Sequence, residues 1–204
     1  MIKREVAIKQ LREIEKLAKN LRLAADSWPA KWQTLVATLM SARTTDAKTI
    51  PVAQELFNRF NNLDKLARAR VSQIAKIIRP VNFYKTKARN ISKLAKILVR
   101  DYKGNVPMNF EKLVELPGVG RKTANVFLAE YGHSQIGVDT HVSYISRKLG
   151  WTKHEKQEGI EEDLKKLFPQ RSWGKLNWIL VRFGQTYKSR REKNEILERV
   201  RKIK

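Results

Sequence analysis

The stretch Leu116-Pro117-Gly118-Val119-Gly120-Arg121-Lys122-Thr123-Ala124-Asn125 decides the fold. Before it, Asn109-Phe110-Glu111-Lys112-Leu113-Val114-Glu115-Leu116 has the spacing of a short helix; Pro-Gly-Val-Gly breaks that helix, and helical spacing resumes over residues 121–130. The sequence therefore predicts a helix-hairpin-helix. Glycine at 118 and 120 opens backbone conformations closed to bulkier residues, so the amides that end the hairpin and open the second helix can point outward together. Outward amides at a helix N-terminus bind phosphate, which makes Gly118, Val119, Gly120 and Arg121 candidate contacts for a phosphate backbone.

The composition fits such a partner. The 204 residues carry 43 Lys and Arg against 20 Asp and Glu, a net charge of +23, which is the electrostatic footprint of a nucleic-acid binder. Charge alone separates neither DNA from RNA nor duplex from single strand, and a merely soluble basic protein has the same balance. The length allows one domain or two small ones, each with a core. With no cysteine in the chain, disulfides, thiolate zinc sites and cysteine-ligated iron-sulfur clusters are excluded. Met1-Ile2-Lys3-Arg4-Glu5 opens into charged helix and no apolar run has the length of a membrane span, so a soluble intracellular protein, in cytoplasm or nucleoid, is expected.

Outward from the hairpin the pattern is helical almost throughout. Ala7, Leu11, Ile14, Ala18 and Leu21 recur at helical intervals and predict one amphipathic helix over residues 2–23. Asp26-Ser27-Trp28-Pro29 should stop it and cap a helix carrying Trp32, Leu35, Val36, Leu39 and Met40. A third should start near Thr49, with Pro51 in its first turn, and short helices should follow at 63–67 and 71–78. Pro80-Val81-Asn82-Phe83 interrupts before a long helix over 84–102. Beyond the hairpin, helices are expected at 140–149, 154–168, 173–187 and 191–203, with Trp151, Trp173 and Trp178 in their core. No strand pattern emerges, so the fold class is all-α, built of many short helices.

Two residues near the hairpin carry chemistry. Lys122 lies at the start of the second motif helix, where the helix dipole and adjacent Arg121 both favour the uncharged, nucleophilic amine. Such an amine can attack a sugar anomeric carbon, displace a base and form a Schiff base. Asp139, in Val138-Asp139-Thr140-His141, can accept a proton or stabilise positive charge developing on the sugar. Each also has a plainer reading: Lys122 as a phosphate contact, and Asp139 as the N-cap of the helix that follows.

These two motifs resemble the endonuclease III family of the helix-hairpin-helix DNA glycosylase superfamily. The resemblance runs over about residues 28–187 and is densest from 116 to 141. It implies that Lys122 and Asp139 are the catalytic pair of a bifunctional enzyme that expels a damaged base from a flipped nucleotide and then nicks the strand by β-elimination. Base flipping needs a side chain to fill the emptied stack. Leu39-Met40-Ser41-Ala42-Arg43-Thr44-Thr45-Asp46 resembles the segment supplying that plug, with Arg43 where glutamine is common, and Asn82-Phe83-Tyr84 resembles the wedge loop, with Phe83 where leucine is usual. Arg43 has the alternative of a solvated charge, and Phe83 that of core packing. His141 matches a phosphate-contacting position, with a structural role the alternative.

The C-terminus departs from the family. Where relatives carry four cysteines around a [4Fe-4S] cluster, Arg182-Phe183-Gly184-Gln185-Thr186-Tyr187 runs on into Lys188-Ser189-Arg190-Arg191 and a further helix. No cluster can form, so Ile196, Leu197, Val200 and Ile203 are expected to pack that helix in its place. No metal or cofactor is expected, although the hairpin carbonyls leave room for a monovalent cation. The resemblance implies two helical lobes, residues 27–136 and residues 1–26 plus 137–204, with a DNA-binding cleft between them and Lys122 facing Asp139 across it. A monomer acting on double-stranded DNA with damaged bases or abasic sites is expected, its binding weakening steeply with salt. Three readings follow: a glycosylase and abasic-site lyase for oxidised pyrimidines; a mismatch glycosylase removing thymine or uracil; and a non-catalytic helix-hairpin-helix DNA-binding module.

Overall fold

A computed structural model describes residues 2–204, and among them every regular element is helical. The chain folds as two compact units. One is continuous, Arg22–Glu130; the other joins the chain up to Leu21 to Tyr131–Lys204. These limits differ from 27–136 at both ends. Arg22 lies over the Trp28 ring at 4.6 Å, which ties residues 22–26 to the continuous unit. Ile136, by contrast, is buried in the core of the other unit with Val138.

The continuous unit is built around α2 (Lys31–Ser41), which packs against α3 (Asp46–Arg59), α6 (Tyr84–Tyr102) and α8 (Arg121–Glu130). Every residue of α2 from Trp32 to Met40 is buried, the signature of a helix surrounded on all sides. Its two threonines are satisfied in place: Thr38 Oγ1 donates to the Thr34 carbonyl at 2.7 Å, and Thr34 Oγ1 accepts from the Trp28 N–H at 3.0 Å. Phe57 of α3 meets Trp28 and Trp32 edge-on, with centroids 4.9 and 5.3 Å apart. The short α4 (Leu63–Arg68) and α5 (Val71–Ile77) cover α6, and α7 (Phe110–Val114) packs on α8.

In the second unit α1 (Arg4–Leu17), α9 (Thr140–Lys148), α10 (Gln157–Leu167), α11 (Trp173–Thr186) and α12 (Arg190–Arg201) share one core. Trp151 is fully buried there, edge-on to Phe168, and its indole N–H donates to Gln10 Oε1 at 2.7 Å. Trp173 and Trp178 are only partly buried against that core.

Several helix starts and stops fall elsewhere than their sequence signals suggest. α1 ends at Leu17, not 23, because the chain turns extended at Ala18 and Lys19 N–H donates to Thr186 Oγ1 at 2.9 Å. Asp26 is not the N-cap of the next helix: its carboxylate accepts from the Leu23 N–H at 2.8 Å, and α2 starts at Lys31 with N-cap Ala30 and Gln33 folding back to the Ala30 N–H. Thr49 lies inside α3, its hydroxyl donating to the Thr45 carbonyl, and Pro51 sits beyond the first turn. α10 begins at Gln157, not His154.

Candidate functional site

The hairpin is a tight turn followed by a helix. Val119 N–H donates to the Leu116 carbonyl at 3.0 Å, Pro117 occupies the second turn position, and Gly118 the third with φ +81°, which is the pattern of a type II turn. A Cβ on Gly118 would come 2.8 Å from Asn90 Nδ2 and 2.9 Å from Leu39 Cδ1, so both the turn and the packing demand glycine there. Gly120 differs. Its φ is not in the left-handed region and a Cβ there would meet no protein atom within 4 Å. The hairpin therefore uses the freedom of one of its two glycines. Gly120 accepts the first bond of α8 from Ala124 N–H at 3.0 Å.

Lys122 is the second residue of α8 and half-buried, whereas Thr123, Ala124 and Asn125 behind it are buried. Arg121 is exposed beside it, its guanidinium 5.4 Å from the Phe110 ring centroid. The core thus holds the back of α8 and leaves its N-terminal turn at the surface.

Asp139 belongs to the other unit and is the N-cap of α9, its Oδ1 accepting from Val142 N–H at 2.8 Å. His141 is the second residue of α9. Its ring lies on Gly184 of α11: a Cβ there would stand 2.1 Å from Nδ1. α12 braces this corner from behind. Lys193 Nζ donates to the Gly184 carbonyl at 2.8 Å, with burial pushing that amine down, and Tyr144 of α9 is hydrogen-bonded to Asn194.

A cysteine-ligated cluster does not fit these residues, since the chain has no thiol to offer iron. The segment after Tyr187 forms α12, capped by Ser189 and seated through buried Ile196, Leu197 and Val200, with Ile203 partly buried. His133 is exposed, and His154 Nε2 lies 3.9 Å from Asp163.

Arg43 and Phe83 are brought together. Both have left-handed backbones, φ 55° and 58°, and the Arg43 guanidinium lies 5.2 Å from the Phe83 ring centroid. Arg43 is the third residue of a turn closed by Thr44 N–H to the Ser41 carbonyl at 2.9 Å, after Ala42 at φ −55° and ψ 117°. That is a type II turn with arginine where glycine is usual. Phe83 is 59% exposed, which overturns the core-packing alternative. An exposed aromatic and an exposed arginine in strained conformations store energy that the fold must hold from elsewhere.

Part of that hold comes from a residue the motifs did not single out. Lys87 is buried, and its ammonium donates to the carbonyls of Met40 at 2.7 Å and Ala42 at 2.6 Å, with Thr44 Oγ1 at 3.4 Å. Burial pushes its pKa down to about 8. The signal was present in the sequence: Lys87 stands in register with Ile91, Leu94 and Leu98 on the apolar side of α6.

The sequence matches the HhH-GPD family, described as the HhH-GPD superfamily base excision DNA repair protein, over residues 36–170. It is 40% identical over 155 residues to Endonuclease III of Thermotoga maritima, spanning 76% of this chain and 73% of that relative. To Endonuclease III of Bacillus subtilis it is 35% identical over 156 residues, spanning 76% and 71%. Among solved structures it is similar to a trapped Endonuclease III–DNA covalent intermediate, with a TM-score of 0.84 and 30% identity over 93% of this chain and 89% of that one. A thermostable thymine-DNA glycosylase shares the fold at a TM-score of 0.78 and 19% identity, over 93% and 89%.

Proposed function

Because this chain belongs to the HhH-GPD superfamily of base excision DNA repair proteins, we propose that it is a bifunctional DNA glycosylase and abasic-site lyase that removes oxidised pyrimidines from duplex DNA. The observation that carries this reading is Lys122 in the surface turn of α8, directly after a hairpin whose tip is open at Gly120. An amine at that place can serve as the nucleophile that a lyase needs. A helix N-terminus directly after the hairpin and the charge of +23 suit a phosphate backbone. The Endonuclease III relatives, one of them trapped covalently on DNA, support the same activity.

In this reading the Lys122 amine attacks C1′ of the damaged nucleotide. The C–N bond to lysine forms as the glycosidic bond breaks, and the base leaves with the bonding pair and a proton. The sugar ring of that adduct then opens: the C1′–O4′ bond breaks as the second C–N bond forms, and O4′ takes up a proton. The resulting imine acidifies the C2′ hydrogens, loss of one as a proton expels the 3′ phosphate, and the strand is nicked 3′ to the lesion. Asp139 takes a proton from the amine or balances positive charge on the sugar. Arg43 fills the emptied stack and Phe83 wedges beside it, while Gly118, Val119, Gly120, Arg121 and His141 contact phosphates.

Borohydride trapping tests this. Wild type and Lys122→Ala are offered duplexes carrying an abasic site, an oxidised pyrimidine or a guanine–thymine mismatch. A covalent adduct on the first two that requires Lys122 supports the proposal. An adduct on the mismatch alone moves the substrate to mispaired thymine, and tight binding without any adduct leaves a monofunctional enzyme or a binding module.

A further inference from the structure

Arg43 and Phe83 lie on separate loops, one ending α2 and the other opening α6, and neither conformation is one its residue prefers. Lys87 bonds to both loops. Its backbone N–H donates to the Phe83 carbonyl at 3.0 Å, and its ammonium holds the Met40 and Ala42 carbonyls just before Arg43. Asn82 makes the matching tie from the other side: its side-chain amide donates to the Arg43 carbonyl, and its N–H donates to Thr44 Oγ1 at 3.2 Å. The carbonyls at the end of α2 are among those a helix leaves without internal partners, and a cation at that end is favoured by the helix dipole. A buried lysine spent on two backbone carbonyls is costly unless the geometry it fixes is needed.

We propose that Lys87, aided by Asn82, is a positioning residue for duplex opening: it locks the Arg43 turn to the Phe83 turn so that both side chains meet the base stack as one wedge. The inference rests on the reading that Arg43 and Phe83 enter the duplex. Lys87 touches neither the substrate nor the reacting atoms; it acts through the two loops. Without it the αL turns relax, the stacked pair separates, and opening the stack slows while the lysine chemistry stays intact.

The test compares wild type, Lys87→Met, Asn82→Ala, Arg43→Ala and Phe83→Ala in single-turnover nicking. One duplex has an oxidised pyrimidine in a fully paired helix; another has an abasic site inside an unpaired bubble, where no stack must be opened. A 2-aminopurine beside the lesion reports unstacking. Lys87→Met is expected to slow nicking and unstacking on the paired duplex by about tenfold or more, given what charged hydrogen bonds contribute, with the bubble substrate within about twofold of wild type. Equal losses on both substrates, or none on the paired duplex, would overturn the proposal. If Lys87→Met does not fold, Asn82→Ala carries the test at an exposed position, with a several-fold loss confined to the paired duplex expected and no loss overturning the idea. Arg43→Ala and Phe83→Ala separate the layers. If both leave paired-duplex nicking intact, the reading of these loops fails and the inference with it; if they slow it and Lys87→Met does not, the inference alone fails.

Discussion

The imidazole of His141 rests on the backbone of Gly184, with no room between them for a methyl group. Gly184→Ala is therefore expected to destabilise the protein by about 1–3 kcal/mol through overpacking and to weaken DNA binding by displacing the ring. In a His141→Ala background the sign should reverse, because alanine is the better helix former by about 1 kcal/mol once the clash is gone. A double-mutant cycle in urea, with DNA affinity measured alongside, reads both effects.

Asp139 caps α9 through one carboxylate oxygen, and asparagine caps a helix about as well. Asp139→Asn should thus keep its stability within about 0.5 kcal/mol, while Asp139→Ala loses about 1 kcal/mol. Both should slow Schiff-base formation by roughly a hundredfold, the lower range for a general acid or base. Thermal unfolding beside borohydride trapping separates the cap from the chemistry, and full trapping by Asp139→Asn would reduce the aspartate to a cap.

The two hairpin glycines should part company. Gly118→Ala forces a side chain into φ +81° and against Asn90 and Leu39, and is expected to cost roughly 2–5 kcal/mol. Gly120→Ala has open space and should change stability by less than about 0.5 kcal/mol. If phosphate approaches at Gly120, that same variant should bind DNA more weakly, which fluorescence anisotropy would detect.

Lys87 gives stability a pH dependence of definite sign. Its folded pKa of about 8 lies below the ordinary lysine value of 10.5, so between those pH values the unfolded chain binds more protons. The penalty for burying the charge is fully present below pH 8 and fades as pH rises toward 10.5. Wild type should therefore gain stability relative to Lys87→Met across that window. A flat difference between the two in urea melts at pH 7, 8, 9 and 10 would contradict it.

α12 is held by Leu197, 1% exposed in the core it shares with α1, α9 and α11. Leu197→Ala should cost about 2–5 kcal/mol, a value that shows in the denaturant midpoint. A loss of under 1 kcal/mol would mean that the helix is merely laid against its unit.

How legible these features were in the sequence depended on whether the deciding interaction was local. α6 and α8 have the bounds their periodicity predicts, Tyr84–Tyr102 and Arg121–Glu130, because turn residues flank them directly. α1 stops early for a reason far along the chain: Thr186 and Tyr187 take the backbone groups of Lys19 and Leu17. Asp26 reads as a cap for the helix after it, yet it closes its own loop. The hairpin is legible because Pro117 and Gly118 set a turn on their own. The pairing of Arg43 with Phe83 is not, since it depends on two loops meeting in space. Lys87 is an intermediate case: its place in the apolar register of α6 marks it as buried, but only the packed structure shows which carbonyls it bonds.

The unit that contains α1 is split in sequence, and this has a consequence for how the chain folds. α1 buries Ala7, Leu11 and Ile14 in a core that includes Leu180 and Leu197, Gln10 reaches the Arg201 carbonyl, and Arg4 donates to the carbonyls of Lys166 and Leu167. As the chain leaves the ribosome α1 is made well before its partners. The continuous unit can fold in between, while the apolar side of α1 waits unpartnered. The slow step of folding should be the closure of this long loop, and the nascent chain should be most prone to aggregate, and most in need of chaperones, before α11 and α12 have emerged.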